Sequence, residues 1–170
     1  MNLHTSTTNV IRLPRRIHTL NPGEWTVGHA PAMIETLLGS CVSIALWCGD
    51  HRIGGLCHYV LPSGPGKILD PRYGDAALAL MIRRLRGEGI DPTDCVAKLF
   101  GGGKMFSFDS ELGDVGTKNV DAARTILAAA GIPIVAADVG GWIYRKISFD
   151  LETGSVAVSS GNSNDNASCS

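Results

Sequence analysis

The 170-residue sequence lacks long apolar runs. No window approaches the roughly 18 apolar residues of a membrane span, and the first 20 residues hold no apolar segment typical of a signal peptide. We therefore expect the protein to remain in the cytoplasm. A strong charge of either sign is also missing, because the net charge is only −1. This balance gives no electrostatic reason to expect DNA or an anionic membrane as a partner.

Paired cysteine spacings are absent as well. The chain has five cysteines, an odd number with no C-x-x-C motif: Cys41, Cys48, Cys57, Cys95 and Cys169. Without an export signal, this pattern favours reduced thiols over a disulfide scaffold. A zinc site near Cys48 and His51 is disfavoured. The other two candidate ligands, Cys57 and His58, are adjacent and so point to opposite faces of a strand.

Three glycines at residues 101–103 precede Lys104 but do not form a phosphate-binding loop. Such a loop requires serine or threonine after the lysine, and the sequence has Met105 there. The glycines instead indicate backbone that passes close to another element or to a substrate. We expect neither a cofactor nor a metal ion.

The composition is typical of one globular domain. Hydrophobic residues make up 44% of the chain and charged residues 18%. We place this domain at residues 21–159. Residues 1–20, with Arg12, Arg15 and Arg16, are predicted to be a flexible leader, and the polar residues 160–170 a disordered tail.

Two β-prone stretches separated by a short polar turn predict an antiparallel hairpin. In residues 42–47, the aliphatic Val42, Ile44 and Leu46 alternate with Ser43, Ala45 and Trp47. Residues 54–62 form a second apolar run. With the turn centred between them, Cys41 is expected opposite His58 or Tyr59. Directly opposed side chains have Cβ atoms about 4.5–5.5 Å apart. A thiol and an imidazole at that separation can share a proton.

A cysteine beside a histidine offers the two groups of an acyl-transfer site. The thiolate is the nucleophile, and an imidazolium neighbour lowers the pKa of a thiol. Gly39 and Ser40 directly precede Cys41, and backbone amides there can point at a developing oxyanion. The residues alone leave a second interpretation open, in which Cys41 and His58 only pack in the core.

Periodicity predicts the remaining elements of a mixed, hairpin-rich sheet with two main helices, in the α/β or α+β class. The helices are expected at residues 74–86 and 120–130, the second capped by Asn119 after a loop over 107–118. The other strands are expected at 23–28, 32–38, 95–100 and 133–137, with a final hairpin of 142–149 and 154–159. Asp138 is expected to bond its own backbone in a turn, with an active-site carboxylate as the alternative.

Several motifs resemble, in their order and spacing, those of the CheD family, the chemoreceptor glutamine deamidases of bacterial chemotaxis. The matching segments are residues 38–42, 54–55, 58–62, 101–106, 116–120 and 138–141. The resemblance implies a layered α/β/α sandwich with a deamidase core like that of bacterial cytotoxic necrotizing factor toxins. It also implies that the glycine run lies near the active site.

The resemblance further implies hydrolysis of glutamine side-chain amides on methyl-accepting chemoreceptors, giving glutamate and ammonia. Cys41 would attack the carboxamide carbon to form a thioester, and His58 would transfer protons. Backbone groups of Ser40 and Gly39 would hold the oxyanion. The family uses a threonine shortly before the cysteine to orient the histidine, which implies this role for Thr36.

Glu35 is the alternative to Thr36, since the two neighbours point to opposite faces of a strand. Thr36 is favoured because a hydroxyl bonds an imidazole without adding a charge.

The expected partners are the cytoplasmic domains of chemoreceptors and a CheC-type phosphatase, with no nucleic acid and no membrane insertion. Two alternative functions remain: a non-catalytic regulator that binds such a phosphatase, and a thiol esterase that acts on receptor methyl esters.

Overall fold

A computed structural model describes residues 15–66, 68–105 and 114–162. The described residues form nine strands and two α-helices, besides two short 3-10 turns. In chain order they are β1 (Arg16–Thr19), β2 (Trp25–His29), β3 (Ala32–Leu38), β4 (Val42–Cys48), β5 (Ile53–Cys57), α1 (Gly74–Gly87), β6 (Val96–Gly101), α2 (Val115–Ala129), β7 (Ile134–Val139), β8 (Ile143–Asp150) and β9 (Val156–Asn162). Neither of these helices is long and apolar enough to cross a membrane.

The strands form two mixed sheets. The five-stranded sheet has the order β2-β5-β4-β6-β7, and the four-stranded sheet has the order β1-β3-β8-β9. All pairs are antiparallel except β6 with β7 and β1 with β3. The predicted hairpins β4–β5 and β8–β9 are both confirmed. The chain leaves the four-stranded sheet after β3 and enters the five-stranded sheet at β4, so residues 39–41 bridge the two sheets.

The layers follow from which strand faces are apolar. Strands β4 and β5 are buried on both faces, so each face needs a covering layer. Both helices cover one face, where Met81 and Leu127 pack with Ile44. The four-stranded sheet covers the other, where Phe149 packs with Leu56.

The α+β class, the mixed hairpin-rich sheet and the two main helices are confirmed, but the layer order differs from an α/β/α sandwich. In the described part of the chain it is helices, five-stranded sheet, four-stranded sheet. The outer face of the four-stranded sheet carries the exposed Leu37 and Tyr144. Burial therefore alternates along β3 and β8, as in a sheet with one face in water.

Helix α1 begins and ends close to its predicted bounds, whereas α2 begins five residues before the expected position. Its N-cap is Asp114, whose Oδ1 accepts a hydrogen bond from the backbone N–H of Thr117 at 3.1 Å. The prediction of Asn119 as the cap was wrong, because Asn119 lies within the helix and is fully buried. The predicted loop begins at residue 107, and its residues 107–113 lie outside the described residues.

The folded part extends beyond the predicted domain at both ends. Strand β1 lies within the predicted leader and pairs with β3, Arg16 opposite Ala32. Strand β9 continues to Asn162, three residues past the predicted end of the domain. The rest of the predicted leader and tail, residues 1–14 and 163–170, lies outside the described residues.

The expectation that all cysteines are reduced was wrong for one pair, since Cys48 and Cys95 form a disulfide. The strand register explains it. Trp47 on β4 pairs with Val96 on β6, so the next residues outward, Cys48 and Cys95, face each other across the sheet. A separation of 47 residues leaves no local spacing signal. Among the described cysteines, Cys41 and Cys57 are free.

The glycine at residue 55, on β5, is required by close packing against β2 and α1. A Cβ there would lie 2.7 Å from both Thr26 O and Val27 Cγ2. We expect Gly55→Ala to lower the free energy of unfolding by about 1–3 kcal/mol, as overpacking does. The matched control is Gly87→Ala, where a Cβ meets nothing within 4 Å at the end of α1. Urea unfolding should show it unchanged or more stable by up to about 1 kcal/mol. Equal stability of the two variants would contradict this account of the packing.

Candidate active site

A buried hydrogen-bond chain lies where the two sheets meet. The hydroxyl of Thr36, on the inner face of β3, lies 2.7 Å from Nδ1 of His58, which follows β5. The same hydroxyl donates to the backbone carbonyl of Leu20 at 2.8 Å. A hydroxyl has one proton to donate. Because that proton is used on Leu20, Thr36 accepts at Oγ1 and His58 donates from Nδ1–H.

This chain fixes the tautomer of His58. With the proton on Nδ1, the neutral ring carries a lone pair on Nε2. Nε2 is buried and has no hydrogen-bond partner among the described residues. Burial lowers the pKa of His58 to about 4, although the nearby Glu24 carboxylate opposes the shift. His58 is therefore a neutral imidazole at pH 7, with Nε2 available as a base.

Cys41 lies on the same face of the hairpin as His58, but not directly opposite it. Val42 and Tyr59 exchange two backbone hydrogen bonds, at 3.1 and 3.0 Å. Continuing this register places Ser43 opposite His58, so Cys41 is a diagonal neighbour of His58. The expectation that Cys41 faces His58 or Tyr59 was therefore wrong by one position or two. Diagonal neighbours are about 7–8 Å apart at Cα, still within reach of long side chains.

The electrostatics of Cys41 also differ from the expected thiolate–imidazolium pair. Cys41 is half-buried, and burial raises the pKa of its thiol, although its own backbone N–H opposes the shift. A neutral imidazole supplies no positive charge to lower the pKa of the thiol. In the resting site, both the thiol and the imidazole are therefore uncharged.

The backbone around Cys41 is held through its carbonyl groups. Gly102 N–H donates to Cys41 O, and Gly103 N–H donates to Gly39 O, both at 2.8 Å. Gly101 has φ +102°, and a Cβ there would overlap Cys41 O. The prediction that the glycine run lets backbone pass close to another element is confirmed: that element is the segment around Cys41. Within the described chain, the N–H groups of Ser40 and Cys41 donate to no other residue.

Comparison with known proteins identifies the family. A statistical model of the family described as "CheD chemotactic sensory transduction" matches residues 61–160. A protein of Albidiferax ferrireducens named "Probable chemoreceptor glutamine deamidase CheD 2" is 44% identical over 143 residues, which cover 81% of this chain and 83% of that protein. The chain belongs to the CheD family.

Other matches extend the comparison. "Probable chemoreceptor glutamine deamidase CheD 3" of Dechloromonas aromatica is 42% identical to this CheD-family chain, over 84% of it and 88% of the relative. A solved structure, YlmD from Geobacillus stearothermophilus, matches at a TM-score of 0.47 with 15% identity, covering 73% of this chain and 59% of that one. The sequence relatives, rather than this distant structure, carry the family assignment.

Of the residues predicted for this CheD-family site, some contact His58 and others bond elsewhere. Thr36, not Glu35, contacts His58. Glu35 points to the outer face, accepts from Ser148 Oγ at 2.6 Å and lies 3.5 Å from Lys146 Nζ. Asp138 does not bond its own backbone as expected. Its Oδ1 instead accepts from the buried Arg145, at 2.9 Å from Nε and 2.8 Å from Nη2.

Two polar residues in this region were not predicted as site residues, although Asn119 was expected as a helix cap. Ser43 is fully buried and its Oγ has no partner in the described part of the chain. The period of two did place it on the face of Cys41. Asn119 is also fully buried, and its Nδ2 donates to Ser40 O. An asparagine among apolar residues within a helical pattern was the available signal.

The protonation states predict the pH dependence of Cys41 reactivity. Because the pKa of the thiol is raised and His58 is neutral, the rate of alkylation by iodoacetamide should rise steadily with pH through the ordinary cysteine pKa of about 8.5. We would measure the rate at Cys41 by mass spectrometry from pH 5 to 10, with Cys57 as an internal reference. Burial raises the pKa of Cys57 to about 12, so it should stay unmodified. A plateau between pH 5 and 8 would reveal a preformed ion pair and contradict the neutral site.

Proposed function

We propose that this chain is a protein-glutamine deamidase that hydrolyses glutamine side-chain amides of chemoreceptors to glutamate and ammonia. The observation that carries the proposal is the Leu20–Thr36–His58 hydrogen-bond chain, which leaves a neutral Nε2 on the face that also holds the Cys41 thiol. The names of the CheD relatives supply the substrate class. Amide hydrolysis through a thioester needs a nucleophile and a base that face the same substrate.

The first half of the proposed reaction forms a thioester. Substrate binding excludes water and brings the glutamine carboxamide to Cys41. Nε2 of His58 takes the thiol proton as sulfur attacks the carbonyl carbon. The oxygen becomes an anion, and the backbone N–H groups of Ser40 and Cys41 stabilise it. The tetrahedral intermediate collapses as the amide nitrogen takes a proton from His58 and leaves as ammonia.

The second half hydrolyses the thioester. Nε2, again unprotonated, removes a proton from water, and the resulting hydroxide attacks the thioester carbon. Collapse of the second intermediate releases the side-chain carboxylic acid, which ionises to glutamate by losing its proton to solvent, and the cysteine sulfur recovers the proton from His58. Thr36 remains bonded to Nδ1 throughout, so the ring keeps the same orientation in both halves. When Nε2 holds the proton, the Thr36 oxygen stabilises the charged ring.

Two further functions are alternative outcomes of the test. A regulator that only binds a CheC-type phosphatase requires no thiol chemistry and tolerates Cys41→Ala. A thiol esterase uses the same residues on receptor methyl esters and releases methanol. We favour the deamidase because the relatives are named for glutamine deamidation. We propose chemoreceptor cytoplasmic domains as the substrates and a CheC-type phosphatase as a further partner.

The test is mass spectrometry of a glutamine-bearing receptor cytoplasmic fragment after incubation with the protein. Conversion of glutamine to glutamate adds about one mass unit and should occur with the wild type. Cys41→Ala should abolish it, and His58→Gln should slow it by about 10²–10⁴-fold, the usual contribution of a general acid–base group. Cys57→Ala is the matched control, since Cys57 is free but buried on the helix-facing side.

The outcomes separate the candidate functions. Unchanged receptor glutamines with the wild type, together with phosphatase binding by Cys41→Ala, would identify a binding module. Methanol release from a methylated receptor without deamidation would identify the esterase. Equal deamidation by the wild type and Cys41→Ala would contradict the assignment of the nucleophile.

A further inference from the structure

Asn119 is a buried polar residue in a helix whose contacts are directed at the candidate active site. It lies on α2 and is fully buried. Its Nδ2 donates to Ser40 O at 3.1 Å and to Val60 O at 2.9 Å. Both acceptors are backbone carbonyls, so the group between them must be the amide NH₂ rather than the amide oxygen. One side chain thus joins the residue before Cys41 to the strand end that carries His58.

The position of Asn119 is itself fixed from two sides. The hydroxyl of Tyr59, another fully buried residue, donates to the backbone carbonyl of Asn119. One helical turn earlier, Gly116 lies against Gly102, and a Cβ on either glycine would overlap the other's backbone region. Helix α2 therefore sits directly on the backbone around Cys41. Small shifts of Asn119 are resisted by close packing.

The hydrogen bond to Ser40 O determines where the next backbone N–H points. The Ser40–Cys41 peptide is trans, since the cis bond among the described residues is Ala30–Pro31. In a planar trans peptide, the C=O and the N–H point in opposite directions. Ser40 O is bound on the α2 side. Cys41 N–H is therefore directed away from α2, and it donates to no other described residue.

That direction matches the requirement of an oxyanion donor. The face of the five-stranded sheet away from α2 is the one on which Cys41 and His58 lie, facing the four-stranded sheet. A backbone N–H aimed there can meet the amide oxygen of a glutamine attacked by the Cys41 sulfur. Without Asn119, Ser40 O loses its one hydrogen-bond donor among the described residues, and with it the direct restraint on the orientation of this peptide.

We propose that Asn119 is a positioning residue that builds the oxyanion site by fixing the Ser40–Cys41 peptide. It does not touch the substrate, and acts through the N–H of Cys41. The inference rests on the proposed deamidase function and adds the side chain that orients the Cys41 N–H toward the developing charge. It also gives a reason for a fully buried amide in a helix interior, where an apolar residue would pack at no polar cost.

The test compares amide hydrolysis with a reaction of Cys41 that forms no oxyanion. We would make Asn119→Ala, and Asn119→Leu to fill the volume should alanine fold poorly. Each variant is assayed for deamidation of the receptor fragment, with kcat and KM separated, and for Cys41 alkylation by iodoacetamide. The matched control is Ala123→Gly, which lies one turn later on the same buried face of α2 and destabilises the helix without contacting Ser40.

The expected result is a selective loss. Both Asn119 variants should lose about 10²–10³-fold in kcat, the usual cost of removing one oxyanion donor. KM and the alkylation rate should stay at wild-type values. Ala123→Gly should lower the melting temperature and keep kcat.

Two results would overturn the inference alone: Asn119 variants with the kcat of Ala123→Gly, or a parallel fall of kcat and alkylation rate, which indicates general disruption around Cys41. An inactive wild type would instead overturn the proposed function and this inference together.

Discussion

The hydrogen bond between Thr36 and His58 is the interaction on which the rest of the site depends. It joins the two sheets, because Thr36 belongs to β3 in one sheet and His58 follows β5 in the other. The Leu20 carbonyl completes it by taking the only proton of the hydroxyl. A buried hydrogen-bond chain with one donor per acceptor has a defined direction. The fold therefore determines which nitrogen of the imidazole is free to act as a base.

Burial gives the site its second property, which is neutrality at rest. Desolvation lowers the pKa of His58 and raises that of Cys41, so each group is uncharged before substrate arrives. Charge then develops only during the reaction, on an oxyanion and an imidazolium. Fixed dipoles in a site closed to water stabilise such charges well, because they need no reorganisation. The backbone around Cys41 is arranged for this, with its carbonyls bonded to the glycine run and to Asn119.

Local sequence patterns predicted most strands and both helices. The features that depend on long-range contacts could not be predicted in this way. The alternation in β4 and the apolar stripe of α1 are readable because each depends on neighbouring residues only. The partner of Cys41 was predicted wrongly because the hairpin is centred half a residue after Asp50, and not on Asp50 itself. No local sequence pattern reveals so small a shift in register. The disulfide, the layer order and the contacts of Asn119 all depend on contacts between segments distant in sequence, so no local pattern could predict them. The family resemblance led to Thr36, whereas Leu20 could be found only in three dimensions.

Nitrogen-15 NMR of the histidine side chains tests the central claim most directly, because it reports the protonation of each ring nitrogen. The chain has five histidines, and a spectrum of His58→Gln identifies the relevant signals. At pH 7 we expect His58 to be neutral, with the proton on Nδ1 and none on Nε2, and to remain neutral well below the ordinary histidine pKa. A doubly protonated ring at pH 7, or a proton on Nε2 alone, would contradict the role of Thr36 and leave the site without its base.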